Sequence, residues 1–203
     1  MPRFDAEWIE AMLGPQRAAA SPPEQVLDMV AVAPGDRVAD VGCGPGFLTL
    51  PAARRVVSAG VVWALDAAPE MVQLVEQRAV ETGLDTIVRP LLVAGVRLPL
   101  DDGAAGVVLC SLVLHFFREP GHATTDLEQF CRELRRIARP AGRLLIIEWQ
   151  PRPGEDAGNR LTPETCASAL RAGGWAPGPP IELGNVARPS GRQGMYALAA
   201  QPG

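Results

Sequence analysis

The chain has 203 residues, of which 47% are apolar and 21% charged, and its formal net charge is −4; such a length and composition suit one hydrophobic core and exclude a disordered polyelectrolyte. All 19 basic residues are arginine, a bias that genomic base composition explains, and its consequence is chemical. Without lysine there is neither a Schiff-base amine for pyridoxal phosphate nor the phosphate-gripping side chain of a P-loop.

The N-terminal segment is charged and amphipathic, and no later run approaches ~18 uninterrupted apolar residues, so the expectation is a cytoplasmic protein with no membrane partner. Residues 5–13 predict a short helix ended by Gly14 and Pro15. Ser21 and Glu24 then have the spacing of a capping box with Pro22 at the first helical position, ahead of an apolar face made by Val26, Leu27 and Val30. Residues 37–41 read as a strand, followed by a glycine-rich loop and a helix from about Thr49 to Ser58 that tolerates Pro51 in its first turn. A second strand over 61–65 closes on Asp66, and a helix runs from Pro69 to Gly83.

Residues 87–93 read as a third strand, and the continuous apolar run 106–114 as a fourth, covered on both faces. Thr125 and Glu128 suggest a second capping box before a helix whose apolar face carries Leu127, Phe130, Cys131, Leu134, Ile137 and Ala138. The arginines at 132, 135, 136 and 139 fall mainly on the other face and read as solvated surface. A fifth strand spans 143–149, a polar loop 151–158 and a helix 162–172; 180–184 and 194–200 read as two last strands joined by a loop rich in Gly, Pro and Arg. Strands alternating with helices predict an α/β fold with parallel pairing and right-handed crossovers, closed by an antiparallel hairpin at one sheet edge. The whole chain is expected to be a single domain, residues 1–33 forming N-terminal helices or a lid and 37–203 the core.

The chemistry concentrates in Asp40-Val41-Gly42-Cys43-Gly44-Pro45-Gly46, after a strand and before a helix. Glycines there let backbone approach a ligand at the ends of parallel strands. Asp66 ends the next strand twenty positions after Gly46, where a carboxylate accepts from both ribose hydroxyls, so the pair implies a nucleoside-containing ligand. A dinucleotide fingerprint would need glycine at 47, where Phe47 stands, and Asp40 is ill placed for a pyrophosphate. A cationic ligand without phosphate fits better.

At these residues the chain resembles the S-adenosylmethionine-dependent methyltransferases with a Rossmann-like, doubly wound, seven-stranded sheet, in the branch of the ubiquinone and menaquinone C-methyltransferases. The likeness runs through VADVGCGPGF, Asp66 with Pro69-Glu70-Met71, LPLDDGAAGVVLCSLVLHFF and ELRRIARPAGRLLIIEW, over roughly residues 22–175. It implies that Gly42 and Gly44, with the small Cys43 between them, pack against the methionine and ribose portions of S-adenosyl-L-methionine. Asp40 would orient the amino end, Asp66 would hold the ribose, and Ala67 and Met71 would lie beside adenine. Cys110 and Ser111 would face the methionyl group through backbone. Relatives often carry an Asp where this chain has Ala94, so adenine recognition would rest on backbone near Gly95 and Val96.

The implied activity is methyl transfer to a small-molecule acceptor, with dimerisation able to complete an open pocket. His115 follows the fourth strand, where a neutral imidazole could take a proton from an incoming nucleophile or simply bond loop backbone. Glu148, ending the fifth strand, could position an acceptor or satisfy a loop, and His122 reads as surface; Trp63 and Trp175 read as packing residues. No acid–base dyad and no G-x-S-x-G is visible, which opposes a hydrolase. Four cysteines without a C-x-x-C pair imply no metal site, and the lack of a basic stripe implies no nucleic-acid partner. A dinucleotide-dependent oxidoreductase and a cofactor-binding module that transfers no methyl group stay open as alternatives.

Overall fold

Strand β1, Arg37–Val41, buries every residue after its first, as a central strand covered on both faces must. In the computed structural model, which describes residues 6–118, 121, 123–151, 160–188 and 191–203, β1 pairs in parallel with β2 (Val61–Asp66) on one side and β4 (Ala105–Ser111) on the other. Strand β3 (Val88–Leu92) extends the sheet beyond β2, and β5 (Ala138–Trp149) lies beyond β4, all parallel. Strand β8 (Gly191–Pro202) runs antiparallel to β5, from Leu144 opposite Ala200 to Trp149 opposite Met195. Its far side is shared by β6 (Trp175–Pro177) and β7 (Ile181–Arg188).

The expected mostly parallel sheet with an antiparallel C-terminal hairpin is therefore present, with one addition. Among the described residues there are eight strands instead of seven, because Trp175–Pro177, shortly after the last helix, also pair with the end of β8. Helices α3 (Pro23–Asp28), α4 (Thr49–Val56) and α5 (Pro69–Glu81) cover one face, and α6 (Thr124–Ile137) and α7 (Pro163–Ala172) the other. Strand alternation divides the core between them. Val107, Leu109, Leu145 and Ile147 face the first layer, while Val108, Cys110, Leu144 and Ile146 face the second.

Several local expectations are corrected. Pro15 ends α1 (Ala6–Leu13) but also begins α2 (Pro15–Ala20), because a ring-fixed φ suits a first helical position as well as it breaks a preceding helix. Ser21 is no cap: its hydroxyl donates to Arg17 O at 3.2 Å, and Pro22 precedes α3. The second capping interaction lies two residues earlier than expected, with Asp126 accepting from the Ala123 amide at 2.9 Å. The apolar run 106–114 does not remain a strand, since Leu112 adopts φ +60° and residues 114–118 coil into a 3-10 turn. The expected loop over 185–193 is largely strand.

Arg136 is not solvated surface. It is ion-paired to Glu133 at 2.6 Å and Asp102 at 2.7 Å, and donates to the carbonyls of Leu98 and Leu100. Arg139 starts no further helical turn; it lies in β5. Trp63 and Trp175 do pack, the latter donating its indole N–H to Cys131 O at 3.1 Å. His122 and most of the expected 151–158 loop lie outside the described residues.

Leu109, fully buried in the central strand β4, reports on this architecture. Leu109→Ala should cost about 2–5 kcal/mol of stability, read as a lowered urea midpoint with an unchanged denaturant slope.

Candidate functional site

Strand order reverses between β1 and β4, so the helices that follow these strands leave on opposite faces and a crevice opens at their C-terminal ends. The glycine loop leaves β1 there. The amides of Gly42 and Cys43 both donate to Leu65 O, at 2.7 and 3.0 Å, and the amide of Gly44 donates to Asp66 Oδ2 at 2.8 Å. The other Asp66 oxygen receives the Ala68 amide at 2.9 Å. A carboxylate offers about four lone-pair sites, so Asp66 fastens the loop and keeps capacity for a ligand; burial pushes its carboxyl above the usual range. Gly42 and Gly44 have φ of +71° and +51°, and an added Cβ would stand 2.2 Å from Val113 Cγ2 at the first and 2.6 Å from Met12 Cε at the second. At Gly42 the side chain of Val113 must shift to admit a Cβ, at Gly44 only the mobile end of Met12 stands in the way, and both positive φ values favour glycine.

Asp40 is 2% exposed. Burial raises its carboxyl from 3.8 to about 6, a shift increased by nearby Asp66 and opposed by Arg17 and by the Thr49 hydroxyl, which donates at 2.6 Å. Arg17 of α2, itself 5% exposed, donates from Nη2 to Ser111 Oγ at 2.9 Å and lies 4.6 Å from the centre of the Phe47 ring. These groups, with Met12, line a small cavity over the loop. Arg17 and Thr49 were not singled out by sequence. Thr49 had a detectable signal, being the first residue of the helix after the loop; Arg17 had none, because only tertiary packing brings α2 to the end of β4.

The remaining sequence-derived residues fall into distinct positions. Cys43 is buried with its thiol pushed well above its ordinary range by desolvation, as expected of a space-filling residue. Cys110 directs its side chain into the second core layer, while Ser111 meets Arg17. Ala67 is exposed beside Asp66, and Met71 is buried in the first turn of α5. Ala94 and Gly95 are exposed and Val96 half-buried, so no carboxylate stands at Ala94.

His115 and Glu148 are brought together, contrary to the expectation that no acid–base dyad exists. Nδ1 of His115 lies 3.0 Å from Glu148 Oε2, and the His115 amide donates to Oε1 at 3.3 Å. They are 33 residues apart, so only adjacency of β4 and β5 makes the pair.

Comparison with known proteins identifies the family and the fold. The sequence profile of the family described as "Methyltransferase domain" matches residues 39–146. Nocamycin O-methyltransferase of Saccharothrix syringae is 35% identical over 130 residues, covering 64% of this chain and 43% of that protein. A ubiquinone/menaquinone biosynthesis C-methyltransferase of Burkholderia mallei is 32% identical over 124 residues, covering 59% and 47%. The chain thus spans less than half the length of either curated relative. The crystal structure of a SAM-dependent methyltransferase from Aquifex aeolicus superposes with a TM-score of 0.82 at 25% identity, covering 99% of this chain and 100% of that one.

The raised Asp40 carboxyl sets a pH dependence. Its folded value lies above the unfolded one, so its contribution is complete below pH ~4 and is lost as pH rises through about 6. Asp40→Asn should therefore gain stability relative to the parent across that window, by up to about 3 kcal/mol at two pKa units of difference. Urea unfolding of both proteins between pH 4 and 7 checks this; a constant difference contradicts it.

Proposed function

The chain belongs to the methyltransferase domain family, and from that premise we propose that it is an S-adenosyl-L-methionine-dependent methyltransferase acting on a small-molecule acceptor. The cradle formed by Gly42, Gly44 and Asp66 between Asp40 and Arg17 carries this reading. S-adenosylmethionine combines a ribose diol, an ammonium, a carboxylate and a sulfonium. Asp66 suits the diol, and Gly42 and Gly44, which hold positive φ without a side chain, suit close backbone approach. Asp40 suits the ammonium: a cation beside it would favour its ionised form and offset the burial that now opposes it. Arg17, opposite in charge and at the same cavity, suits the carboxylate.

Ala67 and Met71 flank the Asp66 end where adenine would lie, with backbone at Gly95 and Val96 replacing an acidic contact. Cys110 and Ser111 would border the methionyl group. A dinucleotide suits the site less well, because Phe47 occupies the third glycine position of that fingerprint and Asp40 would repel a pyrophosphate. Bound cofactor would supply a methyl group already activated on sulfur. The chain's own task is then alignment and exclusion of water, which can lower a barrier by several kcal/mol. Met12 and Arg17 place α1 and α2 over the loop, as a lid would sit. Among the described residues no helix is long and apolar enough to cross a membrane.

Calorimetric titration tests the proposal. S-adenosylmethionine and S-adenosylhomocysteine should bind and NADH should not, and Asp66→Ala should weaken binding roughly 10-fold or more, the scale of a charge-assisted hydrogen bond. Arg17→Gln should weaken S-adenosylmethionine but leave methylthioadenosine, which has no carboxylate, unaffected. Failure of both S-adenosyl compounds to bind at millimolar concentration overturns the reading.

A further inference from the structure

We infer that His115 and Glu148 form a carboxylate-held base that serves a protic oxygen acceptor, so that the methyl group goes to an alcohol or phenol hydroxyl; this rests on the methyltransferase reading above. After Ser111 the chain leaves the sheet through Leu112, whose φ is +60° and whose amide donates to Ile147 O at 2.8 Å. That unfavourable backbone conformation turns residues 114–118 back across the end of β5. Val113 packs on Gly42 of the loop, and two residues later His115 meets Glu148. The base is therefore tied to the segment that lines the candidate cofactor cradle.

The carboxylate holds its histidine at two points. Oε2 faces ring Nδ1 and Oε1 receives the same residue's backbone amide, while the Trp149 amide also donates to Oε2 at 3.3 Å. Glu148 has 1% of its side chain exposed, whereas His115 retains 19%. Around the carboxylate stand Cys110 of β4, Cys166 of α7 and Tyr196 of β8, none of them a cation, and the Tyr196 hydroxyl donates to Leu161 O. An ionised carboxylate only accepts. With Glu148 ionised and the ring neutral, the 3.0 Å contact puts the proton on Nδ1, and Nε2, across the ring from Glu148, keeps its lone pair. The exposed ring of Phe116, 4.3 Å from the imidazole centre, supplies an apolar neighbour.

This tautomer is needed by only some acceptors. A neutral amine attacks before losing a proton, and a thiol ionises near neutral pH, but a phenol with a pKa of about 10, or an alcohol above it, does not. With a hydroxyl acceptor the balance is complete. The O–CH3 bond forms as the S–CH3 bond breaks, the electron pair of the broken bond stays on sulfur, and the hydroxyl proton passes to Nε2 and then to solvent. His115 is the catalytic residue; Glu148 acts through it as a positioning residue, as the buried Asp does in serine-protease triads.

Two measurements test the inference. The chain has two histidines, so histidine-labelled nitrogen-15 spectra of His122→Gln report His115 alone. Nδ1 should be protonated and Nε2 pyridine-like at pH 8, with that preference weakened in Glu148→Gln, whose near-isosteric amide can also donate. Label transfer from S-adenosyl[methyl-14C]methionine should then be followed across matched phenols, benzyl alcohols, anilines and thiophenols. Hydroxyl compounds should take the label, and His115→Gln should lower kcat on them roughly 100-fold or more, the range of general-base catalysis, with cofactor affinity unchanged. Glu148→Gln should lower kcat in the same direction without raising KM for the cofactor. An Nε2-protonated His115, or bound cofactor with no hydroxyl product, overturns the inference. If cofactor itself does not bind, the methyltransferase reading fails instead, and the nitrogen spectra still decide whether the dyad has its basic face free.

Discussion

The site depends on the hydrogen bonds by which the end of β2 receives the glycine loop. Leu65 O takes two amides and Asp66 a third, so the loop that leaves β1 is fastened to the neighbouring strand before any ligand arrives. Preorganisation of this kind removes an ordering cost from binding. It also sets the demand for glycine, because the loop so held turns through positive φ at Gly42 and Gly44 and runs close against Val113.

Around that anchor, charge is arranged at the expense of stability. A carboxyl held near 6 by burial gains nothing from ionisation in the ligand-free chain, and its partners, the Thr49 hydroxyl and the more distant Arg17, only reduce the penalty. Buried charge of this sort is costly unless something compensates it. A ligand that brings its own ammonium and carboxylate would complete both halves at once. The His115 and Glu148 pair follows a similar logic on the opposite side of β4, where a buried carboxylate accepts the amides of His115 and Trp149 and lies 3.0 Å from the His115 ring nitrogen Nδ1.

Much of the fold was legible because its signals are local. The continuous apolar runs of β1, β4 and β5, a proline opening α5 and the glycine-rich turn each depend on residues close in sequence. Errors arose where two local rules competed or where packing overrode both. Pro15 satisfied a stop rule and a start rule together. Ser21 had the right spacing for a cap, but the preceding helix offered its hydroxyl a carbonyl at Arg17. Leu112 lies inside an apolar run and gives no sign of its left-handed backbone. Arg136 looked solvated on a helical wheel, yet the Leu98–Asp102 segment wraps onto it and shares its donors with Glu133 of the same helix.

The sequence by itself determined the α/β class, the loop after β1 and the carboxylate that ends β2, since motif and spacing encode a strand, a turn and a helix start within thirty residues. It also excluded lysine chemistry outright. Tertiary structure alone decided that Arg17 from the N-terminal helices reaches Ser111 and that Glu148 reaches His115. The first pair is separated by 94 residues and the second by 33. Such contacts follow from strand order and helix docking, which no periodicity along the chain records.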